Sequence, residues 1–250
     1  MIEFFVPEAI SPQTTLVLIL ASCITSFVTA SLGIGGGLLL IILMANVLPI
    51  GALIPVHGLV QFGSNANRMM LTHRHLDKGI FAYFVFGAIL AAVISIFVIV
   101  QLPANVIQIS IAVFVLLLTW GVKPKKRELP NSLQILTGFI TTFLSMFLGA
   151  TGPLVASVLH AQRTDKHAIV ATFAACMSMQ HGLKIFTFGF IGFIFTDWLG
   201  LIALMIISGF IGTWIGLKAL NKIPAEKFAI IFKILITLLA IRLLISPFLG

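Results

Sequence analysis

The sequence predicts an all-α polytopic membrane protein. It is read as two homologous, inverted repeats, each with a glycine-broken, re-entrant helix element and three transmembrane helices. Three observations carry this reading. Of the 250 residues, 60% are hydrophobic and only 9% charged, against about 25% charged in a soluble domain, and the mean hydropathy is +1.18. Two glycine clusters interrupt apolar runs at corresponding places in the two halves of the chain. The basic residues collect in short loops, as they do on the cytoplasmic side of membrane proteins.

Taken in order, apolar segments fall at 14–32, 37–47, 52–71, 79–100, 104–121, 131–148, 154–160, 168–195, 198–217 and 224–249. Several approach or exceed the ~20 residues that cross a bilayer. Pro49, Pro103, Pro124, Pro130 and Pro224 mark the breaks between them. The opening stretch carries Glu3 and Glu8 where a cleavable signal peptide has basic residues, so it is expected to be retained. Residues 1–122 form the first membrane repeat. The basic run from Lys123 to Glu128 marks a cytoplasmic linker, 123–130, and 131–250 form the second repeat. Leu32-Gly33-x-x-Gly36 aligns with Leu148-Gly149-x-x-Gly152 at an offset of 116, where Arg68 also meets Lys184. Such internal duplication is common in secondary transporters.

Loop charge decides between two topologies. Eight simple crossings with the amino terminus inside place Arg74, Lys78, Lys123, Lys125, Lys126 and Arg127 inside, but Arg163, Lys166, Lys218, Lys222 and Lys227 outside. If regions 14–47 and 131–160 are instead re-entrant hairpins, all of these charges face the cytoplasm and both termini lie outside. Glu3, Glu8 and Asp197 then also fall outside, so the charge pattern favours the hairpins.

A broken helix is tolerated in a membrane only where the freed backbone is buried in protein or lines a cavity. The breaks at Gly33, Gly35, Gly36 and Gly37, and at Gly149, Thr151, Gly152 and Pro153, each begin a second half-helix. Helix amino ends carry partial positive charge and bind anions, and glycine lets a ligand approach the backbone closely. Pro153 suits a first turn, where its missing N–H is not needed. Gly87, Gly209, Gly212 and Gly216 read instead as helix-packing positions.

His57, Gln61, Ser64, Asn65 and Arg68 recur at helical spacing and form one polar stripe. Thr172, Cys176, Gln180, His181 and Lys184 do the same in the second half. Polar groups within a span point to function. Gln61, Asn65, His181 and Lys184 are the candidate side-chain donors to substrate and Arg68 the candidate counter-charge. The alternative for Arg68 and Lys184 is snorkelling to the interface. His57 and His181 are the candidate proton-coupling groups.

The spans contain no clear Asp or Glu, so the site suits an anion better than a cation. Cys23 and Cys176 read as small core residues and show no redox or metal spacing. No catalytic pair and no metal site stand out, and no cofactor is expected. Basic residues outnumber acidic ones 15 to 7, but their loop placement argues for topology rather than nucleic-acid binding. His73, Arg74 and His75 read as a solvated loop cluster.

The Leu-Gly-Ile-Gly-Gly-Gly37 element, its copy Leu148-Gly-Ala-Thr-Gly-Pro-Leu154, the two halves and the length resemble the TauE/SafE sulfite-exporter family of bacterial and archaeal permeases. Members often carry a proline soon after the glycines, whereas Leu38–Met44 has none. The resemblance implies movement of sulfur-containing or organic anions across the cytoplasmic membrane of a prokaryote. The expected protein is therefore a secondary transporter of a small sulfite- or sulfonate-like anion working by alternating access. It is set in lipid, with homo-oligomerisation open. Its rivals are an anion channel and a non-transporting membrane accessory subunit.

Overall fold

The computed structural model describes residues 5–32, 35–98, 103–121, 130–162, 165–219 and 225–245, with side chains not described at 104, 225–229, 231 and 232. Gly33, Arg163, Lys222 and the linker charges from Lys123 to Glu128 lie outside the described residues. The described chain is helical: α1 Pro12–Leu32, α2 Gly36–Ala45, α3 Ile50–Thr72, α4 Lys78–Val98, α5 Ala104–Trp120, α6 Asn131–Leu148, α7 Gly152–Gln162, α8 Lys166–Phe190, α9 Leu199–Ala219 and α10 Ala225–Ile245. Helices α1, α4, α6, α8 and α9 are long and apolar enough to cross a membrane. The 23-residue α3 is long enough too, but its buried polar stripe lowers its hydropathy. Exposed Leu16, Leu20, Phe86, Phe97, Phe186 and Phe210 are among the large apolar side chains on the outer surface.

The two glycine-broken elements each join a long arm to a short one. The first arm of each is full length, 21 residues in α1 and 18 in α6, and only the returning arms, α2 and α7, are half-length at 10 and 11 residues. The reason is packing. Both α1 and α6 lie along a partner from the other half, α1 on α9 and α6 on α4, and that contact supports a full span.

Each returning arm nonetheless folds back. Gly36, at the start of α2, sits against the Thr25 carbonyl of α1. Farther down, Leu18 of α1 shares a core cluster with Leu38, Ile41 and Met44 of α2. In the second half Thr151 Oγ1 donates to Thr141 O at 3.0 Å, and Gln162 at the end of α7 accepts from Gln134, in the first turn of α6, at 3.2 Å. The segment 131–162 thus leaves on the face by which it entered. The loop after α3 and the loop before α8 share that face, with His75 and His167 ring centroids 5.2 Å apart. The reversals use left-handed backbone at Gly35, φ 106°, and Gly149, φ 79°, a region closed to most side chains.

Helix α3 runs antiparallel to α8, since Gly58 meets Lys184, Phe62 meets Gly182 and Asp77, beyond the end of α3, meets Thr172. Helices α5 and α10 also pair, with Trp120 Nε1 donating to Thr237 Oγ1 at 3.0 Å. The α1–α9 and α4–α6 pairs are joined by glycines at backbone contact. A Cβ at Gly212 would strike the Cys23 carbonyl, one at Gly87 the Ile135 carbonyl, and one at Gly138 the Phe84 carbonyl. Close approach of this kind gains dispersion and weak hydrogen bonding where no water drives helices together.

Gly212→Ala is therefore expected to destabilise the protein by about 1–3 kcal/mol through overpacking. Gly51→Ala, where a methyl group meets none of the described residues within 4 Å, should be neutral or stabilise by up to about 1 kcal/mol. Thermal unfolding of the two purified variants checks the contrast, and equal melting temperatures would contradict the packing account.

Candidate functional site

The polar stripe of α3 and the start of α2 meet α8 and the start of α7 around a small internal cavity. Its walls include Gly35, Gly37, His57, Gln61 and Asn65 from the first half, with Gly152, Pro153 and His181 from the second. On α3 the lining residues His57 to Asn65 lie seven to fifteen positions after Ile50, and on α8 Phe173 to His181 lie seven to fifteen after Lys166. At ~1.5 Å per residue that is about 11–23 Å along each helix. Because the helices are antiparallel, the cavity is centred half-way along the pair. Its volume is about 20 Å³, enough for a water molecule.

Two broken helices aim their amino ends here, unequally. The ladder of α2 begins with Leu39 N donating to Gly35 O at 3.0 Å, so the amides of Gly36, Gly37 and Leu38 precede any intrahelical bond. In α7 the first such donor is Leu154, to Thr151 O at 3.0 Å. Pro153 has no N–H, which leaves Gly152. The first half therefore offers the richer backbone donor set. His57 Nε2 donates to Gly37 O at 3.0 Å, because a carbonyl can only accept, and this ties the α2 turn to α3. Gln61 Nε2 lies 3.4 Å from the same ring nitrogen. The imidazoles of His57 and His181 face one another edge to face, centroids 5.8 Å apart.

Several expected site residues are elsewhere. A side chain at Gly36 would run into Thr25 O and Thr29 Oγ1, so this glycine serves the α1–α2 contact and does not open toward a ligand. Thr151 is fully buried; its hydroxyl donates to Thr141 O and accepts from Gln180 Nε2 at 3.0 Å. Lys184 is fully buried and does not line the cavity. Its Nζ donates to Gly149 O at 2.7 Å, where an ammonium complements the carboxyl end of α6. Arg68 is 1% exposed, lies beyond the cavity wall, and donates to Asn65 Oδ1 at 3.3 Å. Neither cation snorkels. Arg68 is linked to the cavity wall through Asn65, which also donates to Gln61 O at 2.8 Å.

Sequence reasoning missed Thr29, Ala150, Phe173 and Met177, which line the same cavity. Thr29 ends a small polar stripe on α1, with Ser22, Thr25 and Ser26, all buried, and this spacing was readable. Phe173 and Met177 sit 116 residues after His57 and Gln61, so the repeat offset points to them. Outside the spans, Asp165 caps α8. Amides of Ala168 and His167 bond its carboxylate and hold its pKa below the usual range.

A helical chain with spanning helices around a polar, nearly filled cavity at half depth has the architecture of a multi-pass membrane transporter. The sequence model of the family described as Sulfite exporter TauE/SafE matches residues 18–243, and the chain belongs to that family, whose members are membrane transporters and not enzymes. No curated protein and no solved structure matches the chain.

Proposed function

We propose that the protein is a secondary transporter that carries a small sulfite- or sulfonate-like anion across the cytoplasmic membrane of a prokaryote by alternating access. The observation that carries this reading is the mid-depth cavity itself. Gly37 and Leu38 from the amino end of α2, Gln61 of α3 and His181 of α8 line it from both halves, and no carboxylate lies in α1–α9 to repel an anion. Its small volume supports a carrier over an open pore, since an anion larger than water passes only if the walls move.

The helix pairing supports a duplicated, inverted chain. Matching α1 with α6, α3 with α8, α4 with α9 and α5 with α10 maps the α1–α9 pair onto α6–α4 and maps the α3–α8 and α5–α10 pairs onto themselves. A self-matched pair that is antiparallel, as α3–α8 is, requires an axis in the membrane plane. Substrate sites of such transporters lie near the repeat interface.

The test of function is binding by the purified protein, read as a thermal shift against sulfite, thiosulfate, methanesulfonate, acetate and chloride. A ligand at about 100 times its Kd should stabilise by about 2.7 kcal/mol, and sulfur oxyanions should exceed acetate and chloride. No shift with any anion would favour an accessory-subunit role.

Topology has its own test on a cysteine-free background. Arg74→Cys and Lys166→Cys, both at exposed positions, should be shielded from an impermeant thiol reagent in intact cells, while Glu8→Cys and Asp197→Cys should react. Labelling of Lys166→Cys with protection of Arg74→Cys is the pattern of eight simple crossings and would overturn the re-entrant arrangement.

A further inference from the structure

We propose that transport is coupled to protons, and that the facing imidazoles of His57 and His181 carry one proton together with each negative charge moved. The inference rests on the anion-carrier reading above and names its coupling ion. It starts from hydrogen-bond bookkeeping at the cavity. His57 is fully buried and commits its Nε2–H to Gly37 O. Among the described residues its buried Nδ1 has no hydrogen-bond partner, and neither has Nδ1 of His181. With Nε2 protonated, Nδ1 of His57 is a bare acceptor unless the ring takes a second proton. An anion needs donors. A ring whose one N–H already belongs to a backbone carbonyl becomes a donor to that anion only as the imidazolium. Anion binding and proton binding thus favour each other at this ring, and His181, 5.8 Å away between centroids, can share the proton.

The surroundings leave few other carriers. Of the helices packed on α3 and α8, α2, α5, α6 and α7 as far as Leu159 bring no acidic or basic side chain. Helix α4 brings Lys78 and Tyr83, on its first turns, and α9 brings Lys218 at its far end. On α3 and α8 themselves the remaining groups along the spans are Arg68, Cys176 and Lys184; at the end of the pair away from the cavity lie Lys166 and His167 of α8, with His73, Arg74 and His75 of the turn after α3 and His160 near the end of α7. Arg68 lies behind Asn65 and Cys176 is buried outside the cavity wall. The Lys184 ammonium is engaged by Gly149 O. An isolated anion is costly in a low-dielectric site, and the imidazolium offsets that charge. In the cycle, one proton passes from water on the loading side to the imidazole pair as the anion enters. It returns to water on the opposite side when the anion leaves, restoring the uncharged rings; no other bond changes.

Methanesulfonate is the probe, because its charge does not change between pH 5 and 8 and any proton that moves with it belongs to the protein. The full chain is reconstituted into liposomes with a pH-sensitive dye inside, and sulfite flux is followed in parallel. With the outside more acidic by about two pH units, the wild type should take up methanesulfonate against its gradient, to a limit of roughly 100-fold for one proton per charge, each unit being tenfold. The lumen should acidify in step with uptake. In the double variant His57→Gln/His181→Gln, whatever flux remains should no longer respond to the pH gradient. Methanesulfonate flux in the wild type that is unaffected by the gradient and moves no protons would overturn the coupling while leaving the transport reading intact. Gradient-driven accumulation persisting in the double variant would overturn the histidine assignment. Flux of neither anion in the wild type would remove the transport reading and this inference with it. Should the variant fail to fold, the wild-type proton measurement still decides the coupling.

Discussion

Gly36→Ala is expected to abolish or nearly abolish the folded protein, with a loss of about 3 kcal/mol or more, at the upper end of overpacking costs. The added methyl group would meet the Thr25 carbonyl, which is backbone, and Thr29 Oγ1. Backbone within α1 cannot rotate aside, so α2 would have to leave α1 and open the core cluster that joins Leu18 to Leu38 and Ile41. This reverses the effect expected of a glycine in an exposed ligand site, where alanine would favour helix. The neighbouring Gly37→Ala should behave differently. Its methyl group would lie 2.5 Å from Gln61 Nε2, the far end of a side chain that can move. Gly37→Ala should therefore fold and lose anion binding, because it fills the cavity and displaces Gln61. Yield of monodisperse protein and thermal unfolding, measured beside anion binding, separate the two. A stable Gly36→Ala protein would contradict the packed α1–α2 turn.

The second large effect is expected at Gln61. Its amide lines the cavity between Gly37 and the imidazole of His57. It is the α3 side chain best placed to donate to an anion held at the α2 amino end. A hydrogen bond to a charged group contributes about 1.5–3 kcal/mol, so Gln61→Leu, close in volume, should weaken anion affinity by about 10- to 100-fold with the fold retained. Lys184→Gln provides the contrast. Its ammonium binds Gly149 O outside the cavity, so its loss should act first on stability and loosen the end of α6. Titration of sulfite against each purified variant, with melting temperature recorded in parallel, checks the assignment. Unchanged affinity in Gln61→Leu would remove this residue from the site.

The architecture was legible because hydropathy along the chain is a one-dimensional signal. Apolar runs, proline stops and the offset between Leu32-Gly33-x-x-Gly36 and Leu148-Gly149-x-x-Gly152 need no knowledge of neighbours. The full length of α1 and α6 was less legible as part of a broken element, since it depends on α9 and α4 lying alongside. In the site, the α3 stripe of His57, Gln61 and Asn65 was readable from helical spacing alone. The different fates of Gly36 and Gly37 were not. They are adjacent and chemically identical, and only the approach of Thr25 makes one a packing contact and the other a cavity wall. Arg68 and Lys184 were ambiguous for a similar reason. Periodicity places them on the inner face but does not say whether a long cationic side chain ends on a ligand, on Asn65 Oδ1 or on Gly149 O. The second half contributes less polar lining than the alignment of the two halves suggested, because Phe173 and Met177 stand 116 residues after His57 and Gln61.

Counterflow tests the central claim most directly, that the mid-depth cavity carries an anion through alternating states. Liposomes containing the purified protein are loaded with unlabelled sulfite and diluted into a trace of radiolabelled sulfite. A carrier should show a transient accumulation of label above its equilibrium level, and Gly37→Ala should suppress it while remaining folded. Equilibration of label without any overshoot, at a rate that does not saturate with sulfite, would identify a channel and contradict the account.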